Sequence, residues 1–356
     1  MRKLLKKLVG VAAVIALLGC SPSSSDGDPK GSDTGTSQVL YYFTWSDYVD
    51  RDLVQGFERR TGARVVVDTF SSNEELLAKV QSGVSGYDVV VPSDFMVSIM
   101  AMQGLLAELE LSGIPNAELI DPFLQQLPFD PHHKFSLPYF WGTVGIGYDS
   151  SVILTPPTSW EILWDPRYKG RISMLDDQRE VIGLALRAMG YSLNSRDPAL
   201  IERAKQKLIQ QKPLVKVYTS ESFDQLLVSG DVVLAHAWGG PIARAMRERP
   251  SIRYVVPREG GTIWTDCLAV LNTSRHKALA FRFINYLLET DVAVATSNRL
   301  LFASSNRFVK DLVDPGVRNN PAVYPPDEVI ERMEWMVDAG EAIRFYDRAW
   351  TELKVH

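Results

Sequence analysis

Val39-Leu40-Tyr41-Tyr42-Phe43, followed by Thr44-Trp45-Ser46-Asp47-Tyr48, is the stretch on which the fold turns. An unbroken apolar run bounded by polar residues suits a strand buried on both faces. Beyond it, Leu53, Val54 and Phe57 recur at helical spacing as far as Gly62, a helix C-cap. Residues 64–70 are β-branched and strand-like. Ser72 or Asn73 then caps a helix that carries Leu76, Leu77 and Val80 and closes at Gly83. Residues 87–91 make a third strand, stopped by Pro92. Strand, helix, strand, helix, strand is the grammar of an α/β fold, and it implies a parallel sheet with covered faces. Ligands of such sheets sit at the carboxyl ends of the strands. Three loops should therefore converge: residues 44–48, 71–73 and 92–95.

Working outward, a second α/β region follows. Residues 139–148 read as a glycine-punctuated strand, and 171–175 as a strand leading into a helix after Asp177. Further strands fall at 214–218, 232–237 and 264–271, and a helix runs from 277 to 288. Residues 326–354 read as helical and amphipathic. The body holds no internal repeat and no membrane span.

The 356 residues are 46% hydrophobic and 23% charged, which excludes wholesale disorder and leaves room for two domains. With 38 basic against 43 acidic residues and no basic block, nucleic acid is not an expected partner. Two cysteines, Cys20 and Cys267, exclude a disulfide scaffold and a four-cysteine metal site.

The charge is unevenly spread. Residues 1–19 carry Arg2, Lys3, Lys6 and Lys7, then the eleven-residue apolar run Leu8 to Leu18, and no acid. That run is shorter than the ~20 residues a spanning helix needs and has the form of a secretion signal. It ends Leu17-Leu18-Gly19-Cys20, which looks like a bacterial lipobox. In that case Cys20 becomes a lipidated N-terminus, and residues 20–38, rich in Ser, Gly and Asp, serve as a tether. Without the signal the chain has 34 basic and 43 acidic residues, a net charge of −9.

Catalytic signatures are scarce. No H-E-x-x-H, G-x-S-x-G or P-loop occurs. Ser274-Arg275-His276-Lys277 fits S-x-x-K without its companion motifs. His132-His133 lacks metal-ligand spacing, and Cys267, flanked by apolar residues, reads as a buried thiol. No enzyme activity, cofactor or metal is expected. What stands out is carboxylates set among aromatics at strand ends: Trp45 and Asp47, Trp264 and Asp266, Trp238, and Asp177 with Glu180. Trp45 and Asp47, two apart on an extended segment, would share a face. Asp177-x-x-Glu180 also has the form of a helix capping box. The combination suits a linear polycation, whose ammonium groups need carboxylates to replace lost water and whose methylenes need flat aromatic walls.

On longer stretches the chain resembles the polyamine-binding lipoproteins and periplasmic proteins of ABC importers, the spermidine/putrescine receptors. The stretches are Tyr42-Phe-Thr-Trp-Ser-Asp-Tyr48, Tyr87-Asp-Val-Val-Val-Pro-Ser93, Pro128-Phe-Asp-Pro131, Pro138-Tyr-Phe-Trp-Gly142, Leu175-Asp-Asp-Gln-Arg-Glu-Val181, Trp264-Thr-Asp266 and Tyr324-Pro-Pro326. The resemblance implies two α/β lobes joined by crossing strands, with the ligand in the cleft between them. One lobe would be residues 39–142 with 265–311, the other 143–264 with 312–356. It implies a site in which Trp45, Ser46, Asp47, Tyr48, Ser93 and Phe95 face Asp177, Glu180, Ser220 and Trp238, with Trp264 and Asp266 near the crossing strand. Asp177, Glu180 and Asp266 would be the main ammonium partners. Phe302 stands where spermidine-type members align a tyrosine, and Met336 where they align a glutamine. Gly240-Pro241 stands where putrescine-type members carry an extra aspartate. Both polyamines stay open, the balance leaning towards putrescine. The implied partners are a permease and an ATPase, with the membrane reached through Cys20 in the periplasm or at the cell surface, and a monomeric receptor. The alternatives are a receptor for another cationic or amino-bearing solute, or a surface-tethered enzyme.

Overall fold

The computed structural model describes residues 38–83 and 86–356. The signal segment, Cys20 and almost all of the tether lie outside the described residues.

The opening stretch folds as its pattern requires. β1 (Val39–Trp45) leads to α1 (Arg51–Thr61), β2 (Arg64–Phe70), α2 (Asn73–Gln81), the short β3 (Val89–Val90) and α3 (Asp94–Met102). Asp50 caps α1 by accepting the Asp52 and Leu53 N–H groups, and Gly62 ends it at φ +72°. Ser72 caps α2 by accepting the Glu75 N–H. β1 pairs in parallel with β2 on one side and β3 on the other, so the βαβ reading holds here.

The remaining strands are β4 (Ser136–Asp149), β5 (Ile172–Met174), β6 (Val215–Tyr218), β7 (Leu234–Trp238), β8 (Ile252–Val255), β9 (Thr262–Val270), β10 (Ala303–Ser304) and β11 (Glu334–Trp335). Between them lie α4 (Gln178–Ala188), α5 (Pro198–Gln211), α6 (Phe223–Ser229), α7 (Gly239–Glu248), α8 (Lys277–Leu287) and α9 (Thr290–Leu300). The sheet order is β2-β1-β3-β9-β4-β7-β5-β6. The sheet is mixed, not parallel throughout. β9 runs antiparallel to β3 and β4, and β4 runs antiparallel to β7. β4 carries the chain from one half of the sheet to the other and β9 brings it back, so these two must oppose each other. Along β4, Ser136 to Thr143 pair with β9, whereas Val144 to Tyr148 pair with β7. Every residue of β4 is buried.

The C-terminal region departs from the amphipathic-helix expectation. It forms a short helix, Asp327–Ile330, then β11, and only later the helix Ile343–Val355. Glu334 and Trp335 pair with Thr262 and Ile263 of β9. Asn194 donates to the Trp335 carbonyl at 2.8 Å, and Ser192 to the Glu334 carboxylate at 2.6 Å. These long-range bonds outweigh a local helical preference.

Gly142 on β4 lies opposite Trp264 on β9, and a methyl group there would stand 2.6 Å from the indole Cζ2. The indole is laid across the bare backbone of that glycine. Gly142→Ala is expected to destabilise the protein by ~1–3 kcal/mol through overpacking, measured by denaturant unfolding. A neutral result would show that the indole has room to move.

Candidate functional site

The three loops expected to converge do so. Asn73, at the start of α2, donates from Nδ2 to the Ser93 hydroxyl at 3.1 Å and accepts the Ser93 N–H at 3.1 Å. After β1 the chain makes a single 3-10 turn, Ser46–Tyr48. Trp45 and Asp47 are therefore not alternate residues of an extended segment, although both still face the same cavity. The turn sends the Tyr48 ring inward, where its hydroxyl donates to Asp266 Oδ2. Ser93 donates to Asp266 Oδ1 at 2.6 Å. Trp264 and Asp266, two apart on β9, project to one side.

These groups line a cavity of about 910 Å³. Its other wall is built from the N-terminal end of α4, the loop after β6 and the end of β7. Asp177 caps α4, accepting the Arg179 N–H at 2.8 Å and the Glu180 N–H at 3.0 Å. The capping box is only half made, because the Glu180 side chain does not return to the cap. It accepts from the Thr262 hydroxyl at 2.7 Å. Ser220 accepts the Asp176 N–H at 3.1 Å. Trp238 closes β7 and packs edge-on against Phe223. Phe302 touches the rings of Tyr48 and Trp264, with centroids 4.9 Å and 6.1 Å away. Phe95 and Met336 complete the lining, so every site residue expected from the sequence reaches this one cavity.

The structure adds residues that the sequence reading missed. Asp94 is buried between Ser93 and Phe95, and its Oδ2 has no hydrogen-bond partner among the described residues. Arg179 lies over Tyr346 at 4.8 Å and donates to the Val337 carbonyl at 3.1 Å. Glu74 and Glu75 open α2 on the same cavity. Asp94 lies within a loop already marked as converging and Glu74 adjoins another, so their position was the available signal. Arg179 lay inside the quoted stretch 175–181 with no role marked and Thr262 carried no signal, since guanidinium and hydroxyl partners depend on tertiary contact.

Charge in the cavity is one-sided. Among the described residues nine acids line it, against Arg179 as the one base. Burial pushes Glu180 up to about 8, with Asp177 adding to the effect and the Thr262 hydroxyl opposing it. Burial likewise pushes Asp266 up to about 6, against the hydrogen bonds from Ser93 and Tyr48. Asp94 is driven well above the carboxylate range by burial, and neighbouring Asp266 reinforces the shift. Aromatic walls and acids short of counter-charge make a receptacle for an organic cation.

A family model described as bacterial extracellular solute-binding protein matches residues 52–326. The chain belongs to that family. The spermidine/putrescine-binding periplasmic protein of Escherichia coli (strain K12) is 35% identical over 346 residues, spanning 97% of this chain and 97% of its own. Among solved structures, the spermidine/putrescine ABC transporter substrate-binding protein PotD of Streptococcus pneumoniae is 33% identical, with TM-score 0.80 over 90% of this chain and 99% of its own. The TpPotD lipoprotein of Treponema pallidum is 28% identical, with TM-score 0.83 over 90% of this chain and 100% of its own.

Glu180 gives a pH prediction with a definite sign. Its acidity is weakened on folding, from 4.5 to about 8. The folded state therefore holds the extra proton, and stability without ligand falls as pH rises through that window. In Glu180→Gln the amide oxygen can still accept the Thr262 bond and no charge is buried. Thermal unfolding of that variant at pH 8 is expected above wild type, with a flatter pH profile. An unchanged profile would show that Glu180 is not the buried charge in question.

Proposed function

We propose that the protein is an extracytoplasmic polyamine receptor that captures putrescine or spermidine in this cavity and delivers it to an ABC importer. The observation that carries the proposal is the set of buried carboxylates, Glu180 and Asp266 above all, held among Trp45, Trp238 and Trp264 with too little positive charge to balance them. The names of its relatives support the same ligand class and transport role.

In this reading residues 39–142 with 265–311 form one lobe and 143–264 with 312–356 the other. The change of partners along β4 between Thr143 and Val144 supports that division. Ammonium groups would pair with Glu180, Asp177 and Asp266 while methylenes lie against the tryptophans. A ligand that touches both lobes only when they are shut favours the shut form. Phe302 and Met336, both buried and apolar, offer a third ammonium no carboxylate or other oxygen acceptor. This supports the lean towards a diamine.

Titration calorimetry with putrescine, spermidine and spermine tests the proposal directly, and no binding to any of them would end it. Within the same assay, Asp266→Asn is expected to lose ~2–5 kcal/mol, as for truncation of one partner of a desolvated charge pair. Phe95→Ala should lose less, near the ~0.5–2 kcal/mol of one ring–cation contact. Equal losses would overturn the assignment of the carboxylate.

The chain would be held at a membrane by lipid on Cys20 and act as a monomer. The lipoprotein among its relatives supports the anchor. Among the described residues no helix is long and apolar enough to cross a membrane. Cells producing Cys20→Ser are expected to release the protein into the aqueous phase of a detergent partition, with wild type in the detergent phase. The same distribution for both would contradict the anchor.

A further inference from the structure

Arg244 stands at the edge of the cavity, and its geometry has a cause in the backbone. α7 begins at Gly239-Gly240, and a methyl group on Gly240 would stand 2.2 Å from Phe302 Cε1. The bare glycine lets α7 approach that ring closely. Arg244 lies four residues on, so it shares the helix face of Gly240. Its guanidinium is carried over the Phe302 ring, 5.8 Å from the centroid. There it meets Asp47, with Nη2 3.1 Å from Oδ2. Asp224 of α6, almost fully buried, is the second acid close enough to feel the same charge.

Asp47 and Phe302 are a carboxylate and an aromatic face lining one cavity. That is the pair of groups a polyamine ammonium would seek, and here the protein's own cation already holds both. The Arg244 and Asp47 side chains remain 33% and 51% exposed. Exposed ion pairs of this kind contribute little to stability. A structural reason for the contact is therefore weak, whereas a charge at this point bears directly on what can enter.

We infer that Arg244 is a specificity-determining residue, a tethered cation that occupies the Asp47–Phe302 end of the site and disfavours a third ammonium there. The inference rests on the polyamine reading and deepens it. A diamine needs only the inner acids, Glu180 and Asp266. A triamine extending towards Asp47 meets a like charge and an acid already paired. Without Arg244, Asp47 is free to accept the extra ammonium and the Phe302 face is uncovered.

The test is calorimetric titration of wild type, Arg244→Gln and Arg244→Lys with putrescine and with spermidine. Arg244→Gln is expected to shift the ratio of the two affinities towards spermidine by a few-fold to about tenfold, as expected for removing one like charge at a partly exposed site. Arg244→Lys keeps the charge and should keep the wild-type ratio. An unchanged ratio in Arg244→Gln, or equal losses for both ligands, would overturn the inference and leave Arg244 as a contact between helix and loop. If wild type binds neither amine, the polyamine reading itself fails, a result separate from an unchanged ratio.

Discussion

A carboxylate taken out of water must find a positive charge or keep a proton, and this chain buries Asp94, Glu180 and Asp266 around a single cavity. Much of the architecture serves to hold them there. β9 delivers Trp264 and Asp266 to one face, the turn after β1 swings the Tyr48 hydroxyl onto Asp266, and Asn73 fixes Ser93 beside it. Thr262, four residues before Asp266 on the same strand, reaches Glu180 on the opposite wall. One strand therefore braces acids that arrive from separate parts of the chain.

The hydrogen bonds to these acids only partly offset burial. Ser93 and Tyr48 restrain Asp266, and Thr262 restrains Glu180, yet both remain weaker acids than in water. The cavity without ligand is thus a compromise between folding and function. Replacing Glu180 by an uncharged isostere should help the fold and harm the receptor, as expected where a site is built for a partner that is not part of the chain. In the proposed account that partner brings the missing positive charge.

The first half of the fold was legible because its signals are local. An apolar run, helical spacing, a positive-φ glycine at position 62 and a serine cap at position 72 each decide structure within a few residues. The same locality explains the misreading of residues 326–354, where partners on β9 and around Asn194 override an amphipathic pattern. It also explains why Trp45 and Asp47 reached the cavity by a route other than the one expected: a 3-10 turn replaced strand alternation. Most of the acids and rings of the site stood out in the sequence because they cluster at the predicted strand ends. Arg179, Thr262 and Arg244 did not, because their meaning lies in contacts with residues far away in the chain.

If ligand supplies the charge that the buried acids lack, they should give up protons when it binds. Difference infrared spectroscopy near neutral pH, with and without putrescine, reads this directly through the stretching band of protonated carboxyl groups. The band is expected to lose intensity on binding, and Glu180→Gln to remove most of that change. A carboxyl band unaltered by saturating ligand would contradict that loss of protons.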